Sequence, residues 1–309
     1  MAVRTVAIGP SRCHLGGVDP AKPAPAGVPL PLSERRKEAL ARLLADEDQI
    51  VFRAVRREIV SHGPSVRPWL AGFSLHADPV LRRRALAIVE HFDRLDADIA
   101  FNVFCLRHGE ELNLEEGCWL LSRSRFPSIN VEAYRAMLDG YAADLMGRLD
   151  YAGEPESIIA TLNACLFAEQ GFRGNEEEYY SPDNSYLSRV LDLRTGNPIL
   201  LCVLYLTLCR RLQLPVAGIG LPGHFLCRFQ NARTELFIDA FNKGRLLTKA
   251  DCVKYLRQAG YEFHEAFLVP ASPRRILLRI CSNLHQIHQH QGDKAEAERL
   301  QGYILALSK

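Results

Sequence analysis

One segment limits the possible folds of this chain more than any other: Arg194 to Pro215, "RTGNPILLCVLYLTLCRRLQLP". Its apolar run, Ile199 to Cys209, is about half of the roughly 20 residues that a bilayer crossing requires. A helix that is apolar all round must be enclosed by other elements. Asn197 suits the N-cap and Pro198 suits the first helical turn, so the helix has a fixed, positively polarised start. The rest of the chain is then to be arranged around this helix.

The chain ahead of it reads as mostly helical. Residues 1–32 carry Pro10, Pro20, Pro23, Pro25, Pro29 and Pro31 among small residues and suit a flexible leader. Ser33 is placed as an N-cap, and from there to about Phe92 there is a weak echo. "LLADEDQIVFRAV" is followed about thirty residues later by "LHADPVLRRRAL", each an acidic turn leading into an Arg-Ala-aliphatic helix. Paired helices with that period resemble HEAT-type repeats, which predicts a HEAT-like segment over 33–95. Residues 96–150 stay helical: Asn113 caps "LEEGCWLLSRSR", and Val131 to Leu149 puts Tyr134, Met137, Leu138, Tyr141 and Leu145 on one face. "SIIATLNACLFAEQ" is a further helix ending at Gly171.

After the central helix the period changes. "VAGIGLPGHFLCRF" and "ELFIDAF" alternate and read as strands, and "FHEAFLVPAS" reads as extended. "TKADCVKYLRQAG" is a short capped helix, and Pro273 to Leu307 a helical hairpin turning at Gly292-Asp293. With 309 residues the chain is long enough for two or three compact units. The predicted divisions after 150 are a core over 151–268 and the hairpin over 269–309.

A net charge of +2 gives no electrostatic reason for a nucleic-acid or membrane partner, so neither is expected. Arg35-Arg36-Lys37 and Arg82-Arg83-Arg84 fall on helical patterns as solvated faces. Nine cysteines without a CxxC pair, several in apolar runs, suit a reducing compartment, and the N-terminus has no signal-peptide core; a cytoplasmic location follows. Gly218, Gly220 and Gly223 fit G-x-G-x-x-G, but a strand rather than a helix follows, so no dinucleotide is expected. In the cluster His285, His288 and His290, the first two share a helix face but have no third ligand at fixed spacing, and no metal or other cofactor is expected.

The constellation that carries chemistry is the helix start at Pro198 with His224 and Asp239 downstream. Papain-like thiol enzymes place a cysteine at such a start, where the helix end and an imidazole lower its pKa. A histidine on the next strand and an acid on the one after would be base and orienter. "GNPI", "LPVAGIGLPGHFL" and "FIDAFNKG" resemble the SirB1 family, the bacterial branch of the transglutaminase-like superfamily, over roughly Phe101 to the C-terminus. The resemblance implies an α+β protein: a helical N-terminal half, a transglutaminase-like, papain-like core, and a tetratricopeptide-like C-terminal hairpin. It also implies that His224 and Asp239 stand at the base and acid positions. Pro198, 17 residues ahead of Pro215, stands where the wider superfamily has its cysteine. The SirB1 branch typically carries Gly-Asn-Pro there, and Ala240 departs from its usual proline.

The expected function is therefore that of a pseudoenzyme, binding a protein or small-molecule partner, with regulation suggested by the family. The polar loop residues Arg173, Asn175, Tyr179, Tyr180, Asn184 and Tyr186, with Asn197, are the candidate ligand contacts the resemblance supplies. The alternative is a cysteine-dependent amidase, peptidase or acyltransferase in which Cys202 attacks, His224 is the base and Asp239 the orienter. Cys202 is expected in apolar surroundings, about 6 Å along the axis from the helix start. Cys227 is expected on the face opposite His224. A third possibility, an assembly scaffold, predicts an exposed apolar patch on the N-terminal helices.

Overall fold

The computed structural model describes residues 32–107 and 112–309. The expected leader therefore lies outside the described residues, apart from Leu32. The first helices are α1 (Glu34–Leu44), α2 (Gln49–Ser61), the short α3 (Arg67–Ala71) and α4 (Pro79–Arg107). Both acidic turns of the sequence echo are helix caps. The Asp48 carboxylate accepts from Ile50 N–H, and that of Asp78 from Val80 and Leu81 N–H. Ser33 holds the extended N-cap conformation, yet its hydroxyl makes no capping bond. The arginine of the second echo, Arg84, is buried and donates to the carbonyls of Leu44, the last residue of α1, and of Asp46 and Glu47 beyond it. Its guanidinium also lies 4.6 Å from the centre of the Phe52 ring. It thus satisfies carbonyls that a helix C-terminus leaves open.

Leu40, Leu44, Val55, Ile59, Leu70 and Ile88 form the apolar cluster of this segment. Helix α4 runs unbroken through 95/96, and its second half adds Phe101 and Phe104 to the main core. Leu95, Ile99, Val103 and Leu106 recur at four- and three-residue spacing on α4 and are between 38% and 60% exposed. That stripe matches the apolar patch expected on these helices.

The main body contains α5 (Leu114–Arg125), α6 (Val131–Arg148), α7 (Pro155–Asn163), α8 (Leu187–Leu193) and α9 (Pro198–Arg211), the central helix. Helices α10 (Lys249–Gln258), α11 (Pro273–Gln291) and α12 (Lys294–Leu307) follow. Eleven of the fourteen residues of α9 are buried, as its all-round apolar sequence requires. At its far end Arg211 forks onto Glu115 of α5 at 2.7 and 3.0 Å and reaches Asp139 of α6 at 2.7 Å. A parallel pair of two-residue strands, β1 (Arg173–Gly174) and β2 (Thr195–Gly196), leads into α9.

Behind α9 lies an antiparallel sheet in the order β3 (Val216–Ile219), β4 (Leu226–Gln230), β5 (Glu235–Asp239), β6 (Arg245–Leu247). The architecture is α+β with helical flanks, as expected. Two local expectations are corrected. "VAGIGLPGHFLCRF" forms two strands of a hairpin, because Pro222 and Gly223, the latter at φ 73°, turn the chain between them. "FHEAFLVPAS" is not extended throughout: Glu265–Leu268 form a 3-10 turn. Phe263, Phe267 and Leu268 pack there on the cluster around Leu256, and a turn brings their four- and five-residue spacing onto one side.

Candidate functional site

The site is built on the start of α9. Asn197 is its N-cap: Oδ1 accepts from Leu200 N–H at 2.9 Å, and Nδ2 donates to Ser185 Oγ at 2.8 Å. Its own N–H donates to the Asn184 carbonyl at 3.2 Å. Pro198 occupies the first helical position and has no N–H to give. Leu201 N–H bonds the Asn197 carbonyl, so Ile199 N–H is the first-turn donor left without a partner among the described residues. The β1–β2 pair fixes this corner, with Arg173 N–H on Arg194 O and Asn175 N–H on Gly196 O. Gly174 has to be glycine here, since a Cβ would lie 2.6 Å from the Phe241 ring.

His224 stands two residues before β4, in the turn rather than on the strand as expected, and Asp239 is the last residue of β5. His224 Nε2 lies 3.0 Å from Asp239 Oδ2. Asn242 completes the carboxylate's shell: its N–H donates to Oδ1 at 3.2 Å and its Nδ2 to Oδ2 at 2.8 Å. Burial pushes the Asp239 carboxyl up, but the hydrogen bonds from His224 and Asn242 outweigh it and hold the group below its usual value. An ionised carboxylate only accepts, so the Nε2 proton points at Asp239 and leaves Nδ1 as the basic nitrogen of a neutral ring. The ring lies 5.6 Å from Tyr255 and 6.4 Å from Phe241, centre to centre.

Two clefts meet at Tyr179, Pro198 and His224. The larger, about 920 Å³, runs toward α11 and is lined by Asn197, Ile199, Phe225 and Tyr180. The smaller, about 430 Å³, runs toward α10 past Asp239, Phe241 and Tyr255. Of the residues singled out from the sequence, Asn197, Pro198, His224, Tyr179 and Tyr180 are therefore brought together. Arg173 and Asn175 line a separate depression of about 370 Å³ beyond Phe241.

Asn184 and Tyr186 do not face the clefts, against expectation. Asn184 is 2% exposed and turns inward, where it accepts from Asn175 and donates to the carbonyls of Glu178 and Tyr179. It shapes the loop that presents Tyr179. Tyr186 is in the core against Phe126, at 5.3 Å between ring centres, and burial pushes its hydroxyl's pKa up.

Cys202 is fully buried one turn further along α9, with its Sγ 3.5 Å from the Phe225 carbonyl, and it lines neither cleft. Cys227 is equally buried, with Sγ 3.7 Å from the Cys202 carbonyl. The glycine motif lies on β3 and the hairpin turn, with no helix start to receive a pyrophosphate. His288 is buried and His290 bonds the Gln286 carbonyl. The ligand atoms of Asp144, Cys165 and Glu169 do lie within 4.8 Å of one another, but Arg148 bonds both carboxylates at 2.6–2.9 Å and occupies them.

Sequence reasoning missed the contribution of α11. Arg279, Asn283, Gln286, Ile287 and His290 follow one another along one side of that helix and form a wall of the larger cleft, with Tyr261 at its rim. Their only sequence signal is a polar helix face, which reads the same whether it borders a cleft or solvent.

A family model described as "Transglutaminase-like superfamily" matches residues 132–282. The chain is 34% identical over 204 residues to a UPF0162 protein of Xylella fastidiosa (strain 9a5c), which covers 64% of this chain and 73% of that one. UPF0162 protein PA3419 of Pseudomonas aeruginosa is 36% identical over 133 residues, 42% of this chain and 48% of the relative. F-box only protein 21 of Homo sapiens is 34% identical over 143 residues, 44% of this chain and 22% of that protein. No solved structure matches. The chain belongs to the UPF0162 proteins, with a transglutaminase-like domain at its centre.

Proposed function

We propose that this UPF0162-family chain is a SirB1-type pseudoenzyme of the cytoplasm, acting by binding a ligand or partner in the cleft at the start of α9. The observation that carries the proposal is Pro198. It stands at the helix start, beside His224 in both clefts, where a transglutaminase-like enzyme would need a thiol. An imino acid there has neither a nucleophilic atom nor an N–H to donate. His224 and Asp239 keep the geometry of base and orienter with nothing for the base to deprotonate.

The thiol closest along α9, Cys202, points into the core and is turned to a backbone carbonyl. A nucleophile has to reach both its base and its substrate, and a side chain outside both clefts reaches neither. Eight described cysteines are free and buried, which suits a reducing compartment, and no described helix is long and apolar enough to cross a membrane.

The test is thiol capture on the folded protein. Incubation with iodoacetamide across neutral and mildly alkaline pH, read by intact mass and peptide mapping, is expected to leave Cys202 unmodified. Stoichiometric capture of Cys202 with a depressed pKa, or a covalent acyl adduct on any sulfur, would overturn the proposal in favour of a cysteine-dependent acyl-transfer enzyme.

A further inference from the structure

Arg279 is half-buried on α11 and has no hydrogen-bond or ion-pair partner among the described residues. Its guanidinium lies 5.6 Å from the centre of the Phe225 ring, and its Nη1 approaches Gly220, where a Cβ would sit 3.3 Å away. The aromatic face offsets part of the cost of drawing a cation out of water. The guanidinium's five N–H donors are still without a fixed acceptor. Burial without a counter-ion lowers the pKa of Arg279. Two other half-buried arginines are paired, Arg211 with Glu115 and Asp139 and Arg299 with Glu296 and Asp98, while Arg194, like Arg279, rests against aromatic rings, those of Tyr141 and Phe172.

The surroundings of Arg279 favour an anion. Among the described residues no carboxylate lines the larger cleft; Asp239 faces the smaller one, where His224 and Asn242 hydrogen-bond it. Across the cleft from α11, Ile199 of α9, whose N–H has no partner among the described residues, is also in the lining. At the mouth stand Tyr179, Tyr180 and Tyr261, which are 39%, 75% and 45% exposed. Exposed aromatic rings around a concave surface mark contact with an apolar body. The volume, about 920 Å³, is that of a small-molecule site.

We propose that the cleft between α9 and α11 binds a small organic oxyanion, a carboxylate or phosphate on an apolar body, with Arg279 as its counter-ion and the tyrosines against its body. This deepens the binding reading above by naming the chemistry of the ligand.

The experiment is methyl NMR on the full chain with labelled isoleucine δ1 carbons, because Ile199 and Ile287 line the cleft. Phenylacetate, phenyl phosphate, neutral phenylacetamide and inorganic phosphate are titrated separately. Saturable shifts at Ile199 and Ile287 are expected with at least one acid, and the amide should bind at least ~10-fold more weakly, a difference of about 1.4 kcal/mol. The better of the two acids assigns carboxylate or phosphate.

Arg279→Gln should abolish the preference for the acid while leaving the amide's affinity unchanged, and Arg279→Lys should keep part of it. Unshifted Ile159 and Ile238 methyls, buried in the main core away from the cleft lining, show in the variants that the fold is intact. The proposal is overturned if the amide binds as tightly as the acids, if Arg279→Gln keeps the preference, or if neither acid moves these methyls. It is also overturned if inorganic phosphate alone binds as well as phenyl phosphate, the mark of an adventitious ion only. Loss of the pseudoenzyme reading would show separately, as a covalent mass increase on Cys202.

Discussion

Replacing Pro198 with cysteine puts a thiol at the first residue of α9, beside His224 and at the junction of both clefts. The fold should tolerate it: Asn197 still caps Leu200, and the N–H that cysteine adds is one a helix start leaves open in any case. Losing proline's restricted unfolded state costs about 0.4–1 kcal/mol. A thiolate at the helix start gains about 0.3–1 kcal/mol from the helix dipole, up to ~2 in a partly buried site. At 1.36 kcal/mol per unit this is about 0.2–1.5 units of pKa. His224, as an imidazolium held by Asp239, adds an opposite charge, and together they should bring the thiol from ~8.5 to about 7 or below.

Rate alone is a poor readout of that change. At pH 7 the thiolate fraction rises from about 3% at a pKa of ~8.5 to about half at ~7, a gain of ~16-fold. Intrinsic nucleophilicity falls with a Brønsted slope of about 0.4–0.5, which removes about five-fold and leaves only ~3-fold. The assay is therefore the pH profile of iodoacetamide alkylation of Pro198→Cys, mapped to that residue, with the wild type as blank. A midpoint at or below about 7 is expected, rising by at least ~1 unit when His224→Ala is added. A midpoint of ~8.5 or higher would mean that burial wins over helix end and imidazole, and that this corner is not a thiol site.

Asn197→Ala removes the cap on Leu200 and strands the buried Ser185 hydroxyl; a loss of about 2–4 kcal/mol in urea unfolding is expected, with Asn197→Asp recovering part of it, and a change under ~0.5 kcal/mol would refute the role. Asp239→Asn tests the buried carboxylate by pH. The folded pKa is lowered, so the carboxylate's contribution is fully present above the unfolded value of ~3.9 and is lost as pH falls through the lower folded value. The Tm gap between wild type and Asp239→Asn should be constant near neutrality and close below about pH 4; a gap that stays flat to pH 2 would refute it. Gly174→Ala drives a methyl into the Phe241 ring and should cost about 1–3 kcal/mol, while shifting the NMR resonances of the His224 ring beside Phe241; combining it with Phe241→Leu should recover stability, and simple additivity would refute the contact.

What could be read from the sequence is what has a period or a cap. The central helix announced itself by the apolar run from Ile199 to Cys209 behind Asn197-Pro198, and Asn113 caps α5 through Glu116 N–H as its position implied. His224 and Asp239 were legible from their spacing after the helix start, and the resemblance put them at the base and acid positions, although alternation carried the strand two residues too far and placed His224 on β4. Loops have no period, so their polar residues give no sign of which way they face. Asn184 and Tyr180 belong to the same stretch, yet one is 2% and the other 75% exposed. Asn184 turns inward because the carbonyls of Glu178 and Tyr179 need a donor there, a requirement that exists only once the loop is closed. Arg279 was hidden for the opposite reason: a regular polar helix face conceals a cleft wall as well as it marks a surface.

The two halves of the site also differ in what they need to persist. Asp239 is 5% exposed, and removing His224 would leave its charge with only Asn242 for support, so the pair maintains itself through folding stability whether or not it has a substrate. Arg279 has no such internal reason to be where it is, because a leucine or glutamine on α11 would avoid the desolvation it meets. The two groups therefore support different inferences. A buried, satisfied His-Asp pair beside a proline is compatible with an inherited framework, and its presence alone says little about a ligand. An unpaired cation facing a cleft without carboxylates is an expense to the folded state that a bound anion would offset. A ligand of this molecule is thus better sought along the wall that α11 supplies than at the acid-base pair.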